Sequence, residues 1–246
     1  MQWLSDSACR FLSNIVLVHG AWADASSWSK VIPLLVAKGL KVTAVQLPLN
    51  SYEADVATVR RAIELEDGPI VLAGHSYGGS VVTQAGNHEK VASLVYVDGF
   101  APDVGESAGS LFAQFESAPL NPEIRPDAEG FLKLSKAGIF EVFAQDLTDA
   151  EKSMLLMTQG PINGGALGGV VTEAAWKSKP CWYLIRDLDR AIPRVNQERM
   201  ATRMNATVAH ANASHVAMLA QPEAVADHIL NAAGQSLPLS AKKLVA

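Results

Sequence analysis

Apolar and polar positions follow two rhythms along this chain, and the switching between them predicts its architecture. Continuous apolar runs such as Asn14-Ile-Val-Leu-Val18 and Ile70-Val-Leu-Ala73 are rich in β-branched and aliphatic residues, which suits strands buried on both faces. Residues 41–46, 91–97, 181–185 and 206–209 read as further strands. Between strands the apolar residues recur at helical spacing. Val31, Leu34 and Leu35 do so within residues 27–38, which Gly39 closes, and Val56, Val59 and Ile63 within residues 53–66, which Gly68-Pro69 stops. Helices are also expected over residues 77–86, 196–204 and 222–233. Strand and helix in alternation predict an α/β fold, a mostly parallel sheet with right-handed crossovers that put helices on both faces.

The rhythm breaks over residues 102–179, where prolines scatter, Phe112 and Phe115 stand close together and residues 160–169 are glycine-rich. Within this stretch Thr148-Asp-Ala-Glu151 has the reciprocal capping arrangement, so a helix carrying Met154, Leu155 and Met157 is expected from Thr148. Aromatic and methionine content is high for a disordered insertion. Residues 102–179 therefore read as a cap inserted into a core made of residues 14–101 and 180–234, with tails at 1–13 and 235–246. One core suits 246 residues that are 49% hydrophobic.

Charge narrows the partners. The formal net charge is -5 and the Lys and Arg residues form no stripe, which argues against nucleic acid and for a small uncharged molecule. The first fourteen residues include Asp6 and Arg10 and no long apolar stretch, so neither a secretory signal nor a membrane span is expected, and a cytoplasmic location is. Cys9 and Cys181 suit reduced thiols better than a disulfide framework or a metal site.

The chemistry centres on Gly74-His75-Ser76-Tyr77-Gly78, directly after the third expected strand. A serine on a sharp strand-to-helix turn is strained, and the turn closes only if the residues two before and two after have almost no side chain; Gly74 and Gly78 satisfy this. A glycine-rich turn with an incidental serine, or a phosphate cradle, would also end a strand this way. A dinucleotide cradle, however, needs Gly-x-Gly-x-x-Gly near the start of the chain. A serine nucleophile needs a base, and the base a carboxylate. His215 follows the last strand and Asp189 the fifth, which gives the order serine, acid, histidine. His19 and His75 are expected to point elsewhere, and His88, His210 and His228 to be solvated. Asp187 and Asp98 are rival carboxylates; Asp189 is preferred, with Asp187 read as solvated and Asp98 as a cap hinge or pocket residue. The backbone N–H groups of Tyr77 and Ala21 are the candidate donors to an oxyanion.

Through His19-Gly20, Gly74-His-Ser-Tyr-Gly78, Asp189-Arg-Ala-Ile-Pro193 and Ser214-His215 the chain resembles the α/β-hydrolase superfamily along nearly all its length. The runs Leu17-Val-His-Gly-Ala-Trp22 and His215-Val-Ala-Met-Leu219 look like its small-capped branch of plant methylesterases, hydroxynitrile lyases and bacterial carboxylesterases. The resemblance implies an about six-stranded parallel sheet, a small cap, and hydrolysis of carboxylic esters with no cofactor and no metal. The lyases carry threonine where Gly20 stands and lysine where Val216 stands, so the esterase reading is favoured. Dehalogenases and epoxide hydrolases, whose elbow nucleophile is aspartate, are disfavoured by Ser76. The expected enzyme is a serine esterase for small, uncharged esters that works through an acyl-enzyme, and Trp22, Phe100, Phe112, Phe115, Met154 and Met218 are candidates to line its pocket. The rivals are a hydrolase-fold ligand receptor with negligible turnover, a cofactor-free perhydrolase and a lyase-like enzyme. Oligomeric state is left open, with a homodimer among the options.

Overall fold

The computed structural model describes residues 14–115 and 118–235. The expected tails, Cys9 among them, lie outside the described residues, except that Gln235 closes the last helix. In chain order the first elements are β1 (Asn14–Val18), α1 (Val31–Val36), β2 (Lys41–Val45), α2 (Tyr52–Leu65), β3 (Ile70–His75), α3 (Tyr77–Ala85) and β4 (Val91–Val97). Then come α4 (Ala108–Phe112), β5 (Ile124–Pro126), β6 (Phe131–Leu134), α5 (Asp149–Thr158), β7 (Ile162–Asn163) and α6 (Gly164–Leu167). The chain closes with β8 (Cys181–Arg186), α7 (Arg194–Arg203), β9 (Thr207–Ala211), α8 (Ala217–Ala220) and α9 (Pro222–Gln235).

Six strands form one sheet in the order β2-β1-β3-β4-β8-β9, every neighbouring pair parallel. All residues of β1 and β3 are buried, as their unbroken apolar runs predict for strands covered on both faces. Register brings the strand ends level: Val18 pairs with Gly74, and His75 with Val97. The chain turns outward from β1 to β2 and then crosses back to β3, so the strand order reverses between β1 and β3. Ligand crevices in open α/β sheets lie at the carboxyl ends of the strands at such a reversal, and Ser76 follows β3 there.

Two local differences from expectation have physical causes. The single helix expected over residues 27–38 is a 3₁₀ turn at Ala25–Trp28 followed by α1. Starting at Val31 leaves Pro33 in the first turn, where its missing N–H removes no hydrogen bond. Between β4 and β8 lies a three-stranded antiparallel sheet, β5-β6-β7, that the sequence did not announce. Its strands are three, four and two residues long, too short for an alternation to register. α5 begins where its capping box predicts, with Thr148 N–H donating to Glu151 Oε2 at 2.9 Å. No residue of α5 is buried, and Met154 and Met157 face outward. Among the described residues no helix is long and apolar enough to cross a membrane.

The close approach of α3 to β1 depends on Gly78, where an added Cβ would come 2.5 Å from the His19 carbonyl oxygen and 2.7 Å from that of Val18. Gly78→Ala is expected to lower stability by about 1–3 kcal/mol, read as a drop in Tm of several degrees. Gly160→Ala is the control, since its Cβ would meet nothing within 4 Å. Equal melting of the two variants would contradict this account of the elbow packing.

Candidate active site

Ser76 joins β3 to α3 with φ 51° and ψ -123°, a left-handed backbone that an L-residue holds only under constraint. The constraint is visible. Its N–H donates to Val97 O at 3.3 Å, its carbonyl accepts from Phe100 N–H at 3.0 Å, and a Cβ on Gly74 would come 2.6 Å from Gly78 O. The hydroxyl is thereby presented above the carboxyl end of the sheet.

His215 stands on the loop after β9, and Asp146 Oδ2 steadies that loop by accepting from Ser214 N–H at 2.7 Å. Its Nε2 is 2.8 Å from Ser76 Oγ and its Nδ1 is 2.9 Å from Asp189 Oδ2. With Nδ1–H donated to the carboxylate, Nε2 is left to accept the Ser76 proton. Asp189 is fixed in turn, since its Oδ1 accepts from the N–H groups of Ala191 at 2.7 Å and Ile192 at 3.0 Å. Gln197 completes the shell: its Nε2 donates to Asp189 Oδ2 at 3.0 Å and to Ile192 O at 2.7 Å, and its Oε1 accepts from Arg186 N–H at 2.9 Å. Phe143, on a π-helical turn at Gly138–Phe143, covers the imidazole with ring centroids 4.8 Å apart. The structure thus brings Ser76, His215 and Asp189 together. Asp187 sits apart, paired with Arg194 and His210.

Asp98, expected as a cap hinge or pocket residue, does not line the cavity and lies behind His215. It is fully buried, with Oδ2 2.9 Å from His215 Nδ1 and 3.5 Å from His75 Nε2, and Oδ1 3.4 Å from Arg186 Nε. His75 also belongs to the site, against expectation, because its Nε2 donates to the His215 carbonyl at 2.8 Å and the two rings stand 4.8 Å apart. His228 is buried as well, and burial beside Arg186 pulls its pKa down to about 4. Burial alone would raise the Asp98 carboxyl, but the imidazoles of His75 and His215 outweigh it and hold that carboxyl below the usual range. Burial pulls the His215 imidazole down, and Asp189 and Asp98 outweigh it and favour its protonated form. His75, Asp98 and His215 place three potential ligand atoms within 4.8 Å of one another. His75 Nε2 is engaged by the His215 carbonyl and His215 Nδ1 by Asp189, while among the described residues His75 Nδ1 and both Asp98 oxygens have no hydrogen-bond partner.

The loop after β1 faces Ser76 from across the switch point. His19 braces it as a neutral imidazole: Nδ1–H donates to Gly20 O at 2.8 Å, Nε2 accepts from Leu47 N–H at 3.0 Å, and burial lowers its pKa to about 4. Ala21 and Tyr77 both border the cavity at Ser76. Tyr77 is the first residue of α3, so its N–H has no partner within the helix. Its hydroxyl donates to the buried Asp55 Oδ2 at 2.6 Å, which anchors α3 to α2.

The cavity measures about 50 Å³ and is walled by Trp22, Phe100, Phe112, Ile124, Leu167 and Ile192. Among the described residues no Asp, Glu, Lys or Arg lines it. Three expected pocket residues are corrected. Phe115 stacks on Phe100 at 5.9 Å and meets Phe112 edge-on at 5.8 Å, but does not itself line the cavity. Met154 is 62% exposed on the outer side of α5 and borders a separate groove, and Met218 is packed into the core by α8.

Sheet order, switch point and elbow together are those of an α/β-hydrolase. Comparison with protein families agrees: the chain belongs to the alpha/beta hydrolase family, which it matches over residues 15–228. It is similar to Methylesterase 8 of Arabidopsis thaliana, with 27% identity over 241 residues and 88% of each chain covered. Among solved structures it is similar to a pyrethroid hydrolase from Sphingobium faniae JZ-2, at 24% identity and a TM-score of 0.79 over 90% of this chain and 97% of that one. Polyneuridine aldehyde esterase is similar at 21% identity and a TM-score of 0.78, over 89% of this chain and 98% of that one. At these identities the two structures speak for the fold.

Gln197, fully buried, is the residue whose loss should most disturb the acid. Gln197→Ala strands Arg186 N–H and Ile192 O and frees Asp189, which should cost about 1–3 kcal/mol in denaturant unfolding and weaken esterase activity. A variant of unchanged stability and unchanged activity would contradict its bridging role.

Proposed function

We propose that the protein is a serine carboxylic ester hydrolase for small, uncharged, apolar esters. The observation that carries this reading is the unbroken line from Asp189 Oδ2 through His215 to Ser76 Oγ, at 2.9 and 2.8 Å, on the floor of a cavity that no Asp, Glu, Lys or Arg lines among the described residues. Ser76 Oγ attacks the ester carbonyl while His215 Nε2 takes its proton. Asp189 holds the imidazole in the required tautomer and stabilises the imidazolium. The N–H groups of Ala21 and Tyr77 receive the oxyanion, a function worth about 3–4 kcal/mol per donor in comparable enzymes. His215 then returns the proton to the departing alcohol, which leaves the acyl group on Ser76. Water, deprotonated by the same nitrogen, releases the acid. The reading needs no cofactor and no metal.

Residues 102–179 act in this proposal as the cap that selects the substrate. Phe112, Ile124 and Leu167 come from this stretch, and Trp22 Nε1–H ties the loop after β1 to it by donating to Leu132 O at 2.9 Å. The name of the Arabidopsis relative, a methylesterase, supports ester chemistry. Lyase chemistry of the kind that uses a threonine at position 20 is disfavoured by space. A Cβ on Gly20 would come 2.8 Å from Ser76 Cβ and 2.9 Å from His75 Nδ1. The partner is then a small-molecule ester and not nucleic acid or membrane, and a cytoplasmic setting fits the buried free thiol of Cys181.

Two measurements check this. Ser76→Ala should reduce hydrolysis of a short-chain aryl ester by about 10⁴-fold or more with the fold intact; equal rates in wild type and variant, or no turnover by wild type across an ester panel, would refute it. An ester bearing a free carboxylate on its acyl group should react at least about 100-fold more slowly than its uncharged counterpart, because among the described residues no Lys or Arg lines the cavity to offset its desolvation and the charge of His215 is already matched by Asp189 and Asp98.

A further inference from the structure

The proposed reaction uses Asp189 and leaves Asp98 without a role, although Asp98 is the more deeply buried of the two. Its backbone is strained, with φ 40°, and its N–H is pinned to Leu184 O at 3.0 Å. That geometry directs the carboxylate toward His215 from the end of β4, while Asp189 approaches from the loop after β8. Both carboxylates place Oδ2 at 2.9 Å from Nδ1. The N–H is directed at Asp189, whereas among the described residues neither Asp98 oxygen accepts a hydrogen bond. The Asp98 contact is therefore one of charge. A buried carboxylate without hydrogen bonds is costly unless a neighbouring positive charge requires it. Arg186, itself fully buried with Nε and one terminal nitrogen unpartnered among the described residues, supplies part of that charge, and an imidazolium at His215 supplies the rest.

We infer that Asp98 is a second carboxylate acting on His215, a positioning residue that stabilises the imidazolium formed when Ser76 gives up its proton, with Arg186 holding the carboxylate in place. The inference rests on His215 being the base of the proposed hydrolase. The groups facing that imidazole are Asp189, Asp98, His75, Ser76 and the Phe143 ring. Asp146 reaches only the neighbouring backbone at Ser214, and Arg186 acts through Asp98. Behind these stand His19 beside His75, Tyr183 beside both carboxylates and His228 beside Arg186. No other titratable side chain intervenes between Asp98 and the ring among the described residues. The sign follows: a carboxylate favours the protonated imidazole, so removing either one lowers the pH at which His215 becomes a free base. Burial pulls the imidazole down, and the two carboxylates oppose it from the same 2.9 Å distance, so with either one removed the other still favours the imidazolium.

The test follows the His215 ring by NMR titration, with the pH dependence of kcat/KM for a short-chain aryl ester beside it, in wild type, Asp98→Asn and Asp189→Asn. In Asp98→Asn the His215 pKa should fall by about 1–3 units and the acidic limb of kcat/KM should move down with it, a shift that a purely structural role would not produce. In Asp189→Asn the pKa should stay above the ordinary value of about 6.5, held there by Asp98 alone. An unchanged His215 titration in folded Asp98→Asn overturns the inference, as does a value at or below about 6.5 in Asp189→Asn. Should Asp98→Asn fail to fold, Asp189→Asn decides by itself. The ring titration needs no turnover, so NMR shifts in the expected direction without hydrolysis by any variant would sink the esterase reading while still showing that Asp98 acts on His215.

Discussion

The left-handed backbone of Ser76 is the constraint on which the rest of the site depends. A residue at φ 51° between a buried strand and a helix relaxes unless its surroundings over-determine it. Here the N–H is tied to β4, the carbonyl to Phe100, and α3 lies so close to β1 that only glycine fits at position 78. The same closeness sets Tyr77 N–H at the open end of α3, opposite the loop braced by His19. Parallel pairing with level strand ends then forces the loops after β3, β4, β8 and β9 to one edge, so residues as far apart in sequence as Ser76 and His215 meet without any long side chain reaching across.

Around that serine the chain has assembled charges in a place that excludes water. Asp98, Asp189, Arg186 and two imidazoles are buried together. Each would be costly alone; jointly they approach neutrality when His215 carries its proton. Hydrogen bonds are spread unevenly over the cluster. Asp189 accepts from two backbone N–H groups, Gln197 and His215, whereas the Asp98 carboxylate accepts no hydrogen bond among the described residues and meets its neighbours through charge. That asymmetry separates an orienting carboxylate from one that acts through its field.

Much of this was legible in the residues, for identifiable reasons. Buried parallel strands leave continuous apolar runs, which is why β1, β3 and β4 could be placed almost to the residue. The elbow declares itself through glycines at fixed offsets, and the α5 start through a capping box. What stayed hidden has a different physics. Strands of two to four residues carry no period, so the β5-β6-β7 sheet was invisible. Met154 lies at helical spacing in an apolar stretch and nevertheless faces outward, because pattern alone does not say what a helix packs against. Asp98 and Gln197 depend on tertiary neighbours; the available signals were an acid directly after an apolar strand and an arginine, Arg186, ending another.

The central claim is that Ser76 is a nucleophile made reactive by His215. Its most direct test is stoichiometric labelling by an aryl phosphonate ester, a probe that attaches to an activated serine oxygen and expels its aryl group, followed by intact mass and peptide mapping. The account predicts one phosphonyl group per chain, on the peptide containing Ser76, formed much more slowly when His215 is replaced by glutamine. A label on any other residue, or no label on a protein that hydrolyses esters, would contradict it.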